Sequence, residues 1–345
     1  MSIHLSDYRR QSFEELVTQA YDDGFDNAGQ FTPAELIFEM VCARANEKAN
    51  SGKRVEITAD GLLEILSDGF GFLRSPVSHF AAGADDIYVS PAQIRRFNLR
   101  TGDWVQGTIR APRDNERYFA LLRIEEVNGR SPEVEKKRLS FLSQSLELKP
   151  KECVDVPEVL TDVRLGQRIL VQLQPKQHPA PALFSLLKSC GSVVMALLNY
   201  ATEDAAVLQR AWPEGVTQGR MLFSAKGSTS EDHLQRLELA IARSQRLAEQ
   251  CQDVHLVIVN ANITATATRF VTEQQGKHGG QSLGVEKVLS VLSKARNLKT
   301  TGSLTVWMCA HQQRTDYEQS VLQQVQFEVE HRVQVTDDGS FKTVD

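Results

Sequence analysis

The chain has 345 residues, of which 41% are hydrophobic and 24% are charged, and its formal net charge is -5. This composition is typical of a soluble globular protein and excludes disordered, collagenous and membrane-embedded classes, while the length predicts about two domains. The sequence contains no long uncharged apolar run, and its first residues lack the apolar stretch of a signal peptide. We therefore expect a cytoplasmic protein that does not enter a membrane.

The first predicted element is a small helical module over residues 1–50, where apolar side chains recur at helical spacing. Ser12 precedes an acidic first turn, and Thr32 is followed by a proline at the first helical position. Both patterns are typical of helix starts. After the polar stretch 47–54, the apolar period changes from helical to alternating.

Residues 51–128 predict a small barrel of five strands. Short segments rich in β-branched and aromatic residues alternate there with Gly, Pro, Asp and Asn. Between Ile87 and Arg123 the chain carries seven arginines against three acidic residues. The acidic net charge therefore conceals a basic face in this domain.

The charged stretch 129–160 contains three prolines and has no sustained period, so we interpret it as an interdomain linker. Over residues 161–345, apolar strands such as RILVQL, VVMALLN, VHLVIVN and SLTVWMC alternate with predicted helices near residues 182–190, 231–251 and 285–298. This alternation is typical of a parallel sheet that is covered on both faces. Near the end of the chain, a hairpin is predicted to turn at Asp338 and Gly339.

The cysteines are odd in number and widely spaced, without a CxxC pair. This pattern argues against a disulfide framework or a zinc site. We expect free thiols, no metal and no cofactor. The cysteines are Cys42, Cys153, Cys190, Cys251 and Cys309.

Aromatic and arginine side chains are interleaved in the predicted barrel. Phe70 and Phe72 lie on the same side of one strand, and the neighbouring glycines leave that side open. Aromatic faces stack bases, and the carboxylates of Asp86 and Glu116 could accept a hydrogen bond from an exocyclic amino group. A single Phe in a strand is more often part of a core, but the cluster as a whole favours binding of single-stranded nucleic acid.

The strings GFGFLR, DDIYVSPAQIRRFNLRTGD and ERYFALL closely resemble the RNA-binding domain of the bacterial transcription termination factor Rho family. The resemblance is specific over residues 60–128 and weaker but collinear to about residue 335. It implies an oligonucleotide-binding (OB) fold of the cold-shock type that takes pyrimidine-rich single-stranded RNA. The RNA-binding positions that it implies are Phe70, Phe72, Arg74, Asp86, Tyr88, Glu116, Arg117 and Tyr118.

The same resemblance implies that residues 161–345 form a RecA-like ATPase domain, in a family whose members form hexameric rings around RNA. A phosphate loop needs glycine N–H groups around the phosphates, a lysine on the terminal phosphate and a Ser or Thr on magnesium. The matching positions here are His178, Pro179 and Ala180. Proline has no N–H, and alanine cannot bind a metal. Lys176 lies nearby, but one lysine without the amide groups is a weak phosphate site.

Two further catalytic positions are replaced under this resemblance. Tyr200 stands where the family has the acid that orients the attacking water, and residues 259–261 provide no ionisable group where a metal-supporting acid is expected. Lys277 belongs to a Gly-Lys pair that matches a central RNA loop, although it could equally be an ordinary solvated lysine. Three losses at once predict a degenerate domain that is not an enzyme.

We therefore predict an RNA-binding protein without ATP hydrolysis that modulates Rho-dependent termination. It would antagonise Rho by competing for RNA or by joining mixed rings. One alternative is an active ATP-dependent RNA translocase with a rebuilt nucleotide site. Another is an interaction scaffold that binds Rho or RNA polymerase. The sequence leaves the choice between a homo-oligomer and a mixed oligomer open.

Overall fold

The computed structural model describes residues 2–50, 55–113, 115–147, 163–174, 192–200, 221–225, 229–311, 315–336 and 341–344. For residues 192–200 and 221–225 it describes the backbone alone. The chain divides into two compact units, Met1–Arg138 and Leu139–Asp345. The division falls inside the stretch for which a linker is predicted.

The first unit begins with a short strand, β1 (Ser2–His4), followed by the helices α1 (Leu5–Arg9), α2 (Phe13–Asp22) and α3 (Pro33–Asn50). Both helix starts predicted from the sequence are present. The Ser12 hydroxyl accepts from the Glu15 N–H while the Glu15 carboxylate accepts from the Ser12 N–H, and Thr32 and Glu35 repeat this exchange. Such capping boxes satisfy N–H groups that have no partner inside the helix.

Five strands then close into a barrel, which confirms the predicted architecture. They are β2 (Glu56–Ile65), β3 (Gly71–Arg74), β4 (Ile87–Val89), β5 (Trp104–Arg110) and β6 (Phe119–Val127). The strand order is β2-β3-β4-β6-β5, and β5 pairs back to β2. Strands β4 and β6 are parallel, whereas the other barrel neighbours are antiparallel. Two short helices follow β4 and β6: α4 (Pro91–Phe97) and α5 (Pro132–Glu135).

One hydrophobic core joins the helices to the barrel. Leu36 and Met40 of α3 are fully buried in the same cluster as Val105 and Phe119 of the barrel strands. The ring of Phe38 meets that of Phe119 edge to face, with the centroids 5.1 Å apart. The helices at the start of the chain therefore complete the interior of the barrel.

The second unit contains a largely parallel sheet in the order β14-β13-β7-β12-β10-β8-β9. Its antiparallel pairs are β13 with β14, and β11 with β12 off the main path. The described strands are β7 (Arg168–Leu173), β8 (Ser192–Tyr200), β9 (Met221–Ala225), β10 (Asp253–Ile258), β11 (Arg296–Asn297), β12 (Ser303–His311), β13 (His331–Val335) and β14 (Phe341–Thr343). The described helices are α6 (Ser230–Glu249), α7 (Ala261–Gln274), α8 (Gly280–Leu292) and α9 (Asp316–Glu328).

The central strands β10 and β12 are buried almost throughout, as continuous apolar runs in a covered parallel sheet should be. The predicted α/β class is therefore confirmed for this unit. The helix predicted near residues 182–190 and the turn at Asp338 and Gly339 lie outside the described residues. Of the helices that the structure describes, none combines the length and the apolar character needed to cross a membrane.

Candidate nucleic-acid interface

Four aromatic rings form one cluster on the barrel, and we refer to Phe70, Phe72, Tyr88 and Tyr118 as the aromatic platform. Phe72 on β3 is the cross-strand partner of Tyr88 on β4. The ring centroid of Phe72 lies 4.9 Å from that of Tyr118 and 6.1 Å from that of Tyr88, and Phe70 lies 5.7 Å from Tyr88. These separations are those of favourable aromatic pairs. The structure thus brings together all four rings that the sequence singled out.

The four rings differ in exposure. Phe72 is 9% exposed and lies between the other rings, whereas Tyr118 is 39% exposed. Phe70 and Tyr88 are half-buried. Phe72 therefore acts partly as core, and its three neighbours keep ring surface that a base can reach.

Gly71 explains how β3 brings these rings against β2. A Cβ atom at this position would lie 2.7 Å from the Glu64 carbonyl oxygen and 2.9 Å from a methyl group of Leu63. Carbon atoms do not approach so closely without displacing the backbone. The glycine between the two phenylalanines is thus required for the close approach of the strands.

A buried ion-pair cluster adjoins the platform. Arg74 is 5% exposed, its Nε donates to Glu64 Oε2 at 2.7 Å, and its Nη1 donates to Asp86 Oδ2 at 2.5 Å. The guanidinium carbon also lies 5.0 Å from the ring centroid of Phe72. Because a buried cation needs partners, the two carboxylates fix Arg74 beside the central ring.

Asp86 retains one unused acceptor. Its Oδ2 also accepts from the Gly83 N–H at 2.9 Å, whereas its buried Oδ1 has no hydrogen-bond partner. Burial raises the pKa of Asp86 to about 6, although the charge of Arg74 opposes the shift and that of Asp85 adds to it. Because this Oδ1 is buried, a neighbouring side chain has to move before the oxygen can receive a hydrogen bond from an exocyclic amino group.

Glu116 and Arg117 are exposed in the segment before β6. Glu116 accepts from both Nη atoms of Arg110, with Nη2 at 2.8 Å, and from the Arg113 N–H at 2.9 Å. The hydrogen bond from Arg110 is the main reason why the pKa of Glu116 falls to about 2. The Glu116 carboxylate is thus ionised at neutral pH and already engaged, while Arg117 has no ion-pair partner among the described residues.

The arginines of the barrel unit differ in availability. Arg110 is paired with Glu116, and Arg100 is half-buried. Arg123 is exposed but paired with Glu125 at 2.7 Å. The other exposed members of the set are Arg95, Arg96, Arg113 and Arg117. Exposed arginines of this kind supply the cations that a phosphate backbone requires.

Comparison with known proteins identifies the family. The model of the Rho termination factor RNA-binding domain matches residues 59–133. Transcription termination factor Rho of Chromobacterium violaceum is 33% identical over 327 residues, which cover 88% of this chain and 75% of that protein. The chain belongs to the transcription termination factor Rho family. The Escherichia coli K12 Rho is 33% identical over 326 residues with the same shares covered, and the Neisseria gonorrhoeae Rho is 31% identical.

The family resemblance stated from the sequence motifs is thereby confirmed. A solved structure of a prototypical ATPase from the type III secretion system of pathogenic bacteria aligns with a TM-score of 0.49 and 13% identity, over 56% of this chain and 58% of that one. The platform residues and the buried ion pair all lie within the part of the chain that matches the Rho RNA-binding model.

The remaining predicted sites of this Rho-family chain belong to the second unit. Lys277 is exposed just after α7, and its Nζ donates to Gln275 Oε1 at 2.9 Å. Tyr200 ends β8, where the backbone alone is described. The positions matched to the phosphate loop lie outside the described residues; they are Lys176, His178, Pro179 and Ala180.

The residues that the resemblance matches to a metal-supporting acid have structural roles. Val259 and Ala261 are fully buried. Asn260 caps α7, since its Oδ1 accepts from the Ile263 N–H at 3.3 Å. Asparagine is among the preferred capping residues. Within the ranges that the structure describes, there is no group of three or more His, Cys, Asp or Glu that could hold a metal ion.

The described cysteines Cys42, Cys251 and Cys309 are free thiols. Burial raises the pKa of Cys42 to about 12. Burial also raises the pKa of the fully buried Cys309. These two thiols are therefore protonated at neutral pH, and they behave as apolar core residues.

Sequence reasoning missed three members of the interface: Arg9, Glu64 and Asp85. Glu64 lies directly opposite Phe72 in the β2–β3 pair, and an acidic residue inside the apolar run LLEIL is a signal that could have been used. The doublet of Asp85 and Asp86 just before a strand is a second such signal. No local pattern marks Arg9, which reaches its partner across 76 positions of the chain.

Proposed function

We propose that this protein binds single-stranded, pyrimidine-rich RNA on the aromatic platform. The observation that carries the proposal is the combination of three partly exposed rings with an adjacent buried carboxylate that keeps an unused acceptor. Stacking on an aromatic ring contributes about 1–3 kcal/mol per base and depends little on sequence. The rings would supply affinity, and the exposed arginines would hold the phosphates.

The Asp86 oxygen gives this proposal a base preference. Cytosine carries an amino group that donates a hydrogen bond, whereas uracil presents a carbonyl oxygen at the same position. An ionised Asp86 accepts but cannot donate, so it favours cytosine over uracil. Fluorescence anisotropy with labelled oligocytidine and oligouridine tests both parts: we expect oligocytidine to bind more tightly than oligouridine. Equal affinities would refute the base preference, and no binding would refute the RNA site.

We further propose that the RecA-like part of the chain does not hydrolyse ATP. His178, Pro179 and Ala180 cannot supply the amide groups, the lysine and the metal ligand of a phosphate loop. Phosphoryl transfer depends almost entirely on such positioning and electrostatic groups. Their loss, together with Tyr200 in place of a catalytic acid, leaves little to accelerate the reaction.

Two measurements test this part of the proposal. RNA-stimulated ATP turnover should be undetectable beside an E. coli Rho control. Because a ligand that binds the folded state raises its melting temperature, millimolar magnesium ATP should leave the melting temperature unchanged. A clear rise or measurable turnover would instead support the alternative, an RNA translocase with a rebuilt nucleotide site.

We propose that in the cytoplasm the protein lowers Rho-dependent termination. Competition for RNA requires amounts comparable to the available RNA sites and disappears with excess RNA. Entry into mixed Rho rings would inhibit at substoichiometric amounts. Titration into a purified termination reaction should raise read-through, and the stoichiometry distinguishes the two routes. Flat or falling read-through at saturating protein would refute antagonism.

A further inference from the structure

The first helix reaches the loop that carries Asp86. Arg9 is 7% exposed, and its guanidinium contacts Asp85 twice: Nε donates to Oδ2 at 2.8 Å and Nη2 to the carbonyl oxygen at 2.9 Å. The third nitrogen, Nη1, donates to the carbonyl oxygen of Asp60 at 2.5 Å. Arg9 therefore fixes both the side chain and the backbone of the residue immediately before Asp86.

Asp85 depends on this contact. Its side chain is completely buried, and its Oδ1 has no hydrogen-bond partner. Among the described residues, Arg9 is the one donor to the Asp85 carboxylate. A buried carboxylate that loses its cation is strongly destabilising, so the conformation of Asp85 is tied to Arg9.

The acidic groups around Asp85 and Asp86 outnumber the cations that face them. Two buried cations, Arg9 and Arg74, face an acid cluster composed of Asp60, Glu64, Asp85 and Asp86, and the charge of the exposed Arg10 also acts on Asp60. Burial raises the pKa of Asp60 and of Asp86, and the charge of Asp85 adds to the shift at Asp86. Without Arg9, one buried cation would face four acids, and the cluster would take up a proton at higher pH.

We infer that Arg9 is a positioning residue of the RNA site: it clamps Asp85 so that the neighbouring Asp86 keeps an ionised, unused oxygen next to Arg74, which lies over Phe72 of the aromatic platform. This inference rests on the RNA binding proposed above. Among the described residues, Arg9 makes no hydrogen bond, ion pair or cation–π contact with the platform rings or Arg74. Its effect passes through the peptide link from Asp85 to Asp86 and through the charge balance of the acid cluster.

The test measures the affinity of the full chain for oligocytidine and oligouridine between pH 5.5 and 8.5. The main variant is Arg9→Met, which keeps the aliphatic bulk but removes the donors and the charge. The matched control is Arg10→Met, which removes the same charge from the exposed neighbouring residue. The charge of Arg10 also acts on Asp60, but among the described residues Arg10 makes no hydrogen bond to Asp85, so the control separates the loss of charge from the loss of the clamp. Urea unfolding of each variant establishes that the barrel is folded in the binding buffer.

We expect Arg9→Met to weaken oligocytidine binding about tenfold at pH 7, within the roughly 2- to 150-fold range of couplings inside one hydrogen-bond network. The pH midpoint for loss of cytosine binding should rise by about 1 unit, the scale on which close charges act. The affinity of Arg9→Met for oligouridine should fall no further than that of Arg10→Met, because protonated Asp86 can donate a hydrogen bond to a uracil carbonyl oxygen. A role in stability alone would lower the unfolding free energy without moving the midpoint or the preference for cytosine.

The outcomes separate the two proposals. Absence of RNA binding by the unmodified protein would refute the RNA-binding function itself. Normal binding by the unmodified protein, with an unchanged midpoint and preference in folded Arg9→Met, would overturn the role of Arg9. If Arg9→Met does not fold, the double variant Arg9→Met with Asp85→Asn leaves no unpaired charge and carries the test. It should bind oligocytidine more weakly than Asp85→Asn alone, because the clamp on the backbone is lost, and equal binding would overturn the inference.

Discussion

Single alanine substitutions at Phe70 and Phe72 should have different consequences, although both rings belong to the aromatic platform. Phe72 is 9% exposed and contacts the other three rings and Arg74. Truncation of a buried Phe costs about 3–5 kcal/mol of unfolding free energy, and we expect about 3 kcal/mol because this ring lies at the barrel surface. Phe70 is half-buried and ends the cluster, so its loss should cost about 1 kcal/mol.

The effects of these two substitutions on RNA affinity differ from their effects on the unfolding free energy. Loss of one stacking partner should weaken oligocytidine binding by about 1–3 kcal/mol, which is roughly 5- to 150-fold in Kd. Phe70→Ala should show this loss with the fold intact, whereas Phe72→Ala should lose both affinity and stability because it supports its neighbours.

Urea unfolding and fluorescence anisotropy on the same samples separate the two quantities. Phe13→Ala serves as the control, since Phe13 is 41% exposed on α2 and lies outside the platform. It should change neither affinity nor the platform. Unchanged RNA affinity in Phe70→Ala would assign that ring to packing alone, and unchanged stability in Phe72→Ala would refute the central role drawn from its contacts.

Three further predictions concern the charges of the barrel unit. The affinity for oligocytidine should fall between pH 7.5 and 5.5 as Asp86, with its pKa of about 6, takes up a proton, and Asp86→Asn should remove most of this dependence. A flat oligocytidine profile in the unmodified protein would contradict the proposed acceptor. The same proton uptake should raise the unfolding free energy on acidification to about pH 5, because the folded pKa exceeds the unfolded value and the folded state binds the proton first. Arg138→Met should lower the unfolding free energy by about 3–5 kcal/mol, because it leaves the buried carboxylate of Asp103 without its ion pair. Arg130→Met, at a half-exposed arginine 3.7 Å from Glu135, should change it far less in the same urea titration.

Local patterns were sufficient for much of the fold. The barrel strands followed from alternating apolar residues, and the starts of α2 and α3 followed from capping residues, because both signals depend on neighbours in the sequence. Helix α7 was missed. Its segment ANITATATRF carries three threonines, a β-branched type with weak helix propensity. Packing of its buried alanines overrides that preference, and packing is not visible in a local pattern.

The candidate site also contains some residues that a local sequence pattern identifies and others that it does not. The aromatic residues could be found because GFGF places two large rings on one side of a strand. Arg74 and Asp86 were predicted as RNA contacts, and the structure adds that both are buried and paired with each other. Direct contact of these two with RNA stays a prediction. Arg9 could not be found, because its role depends on a partner far along the chain and on a buried charge balance.

The core shared by α3 and the barrel has a consequence for how the first unit folds. The Rho RNA-binding model begins its match at residue 59, yet Leu36 and Met40 fill the same interior as Val105 and Phe119. A fragment that begins at residue 59 would leave an apolar surface open to water where α3 had been. It would also lose β1 and the first three residues of β2, which form the whole pairing between these strands. Helices and strands that share one interior gain and lose their structure together. The smallest piece of this protein that can fold on its own is therefore longer than the piece that the Rho RNA-binding model matches.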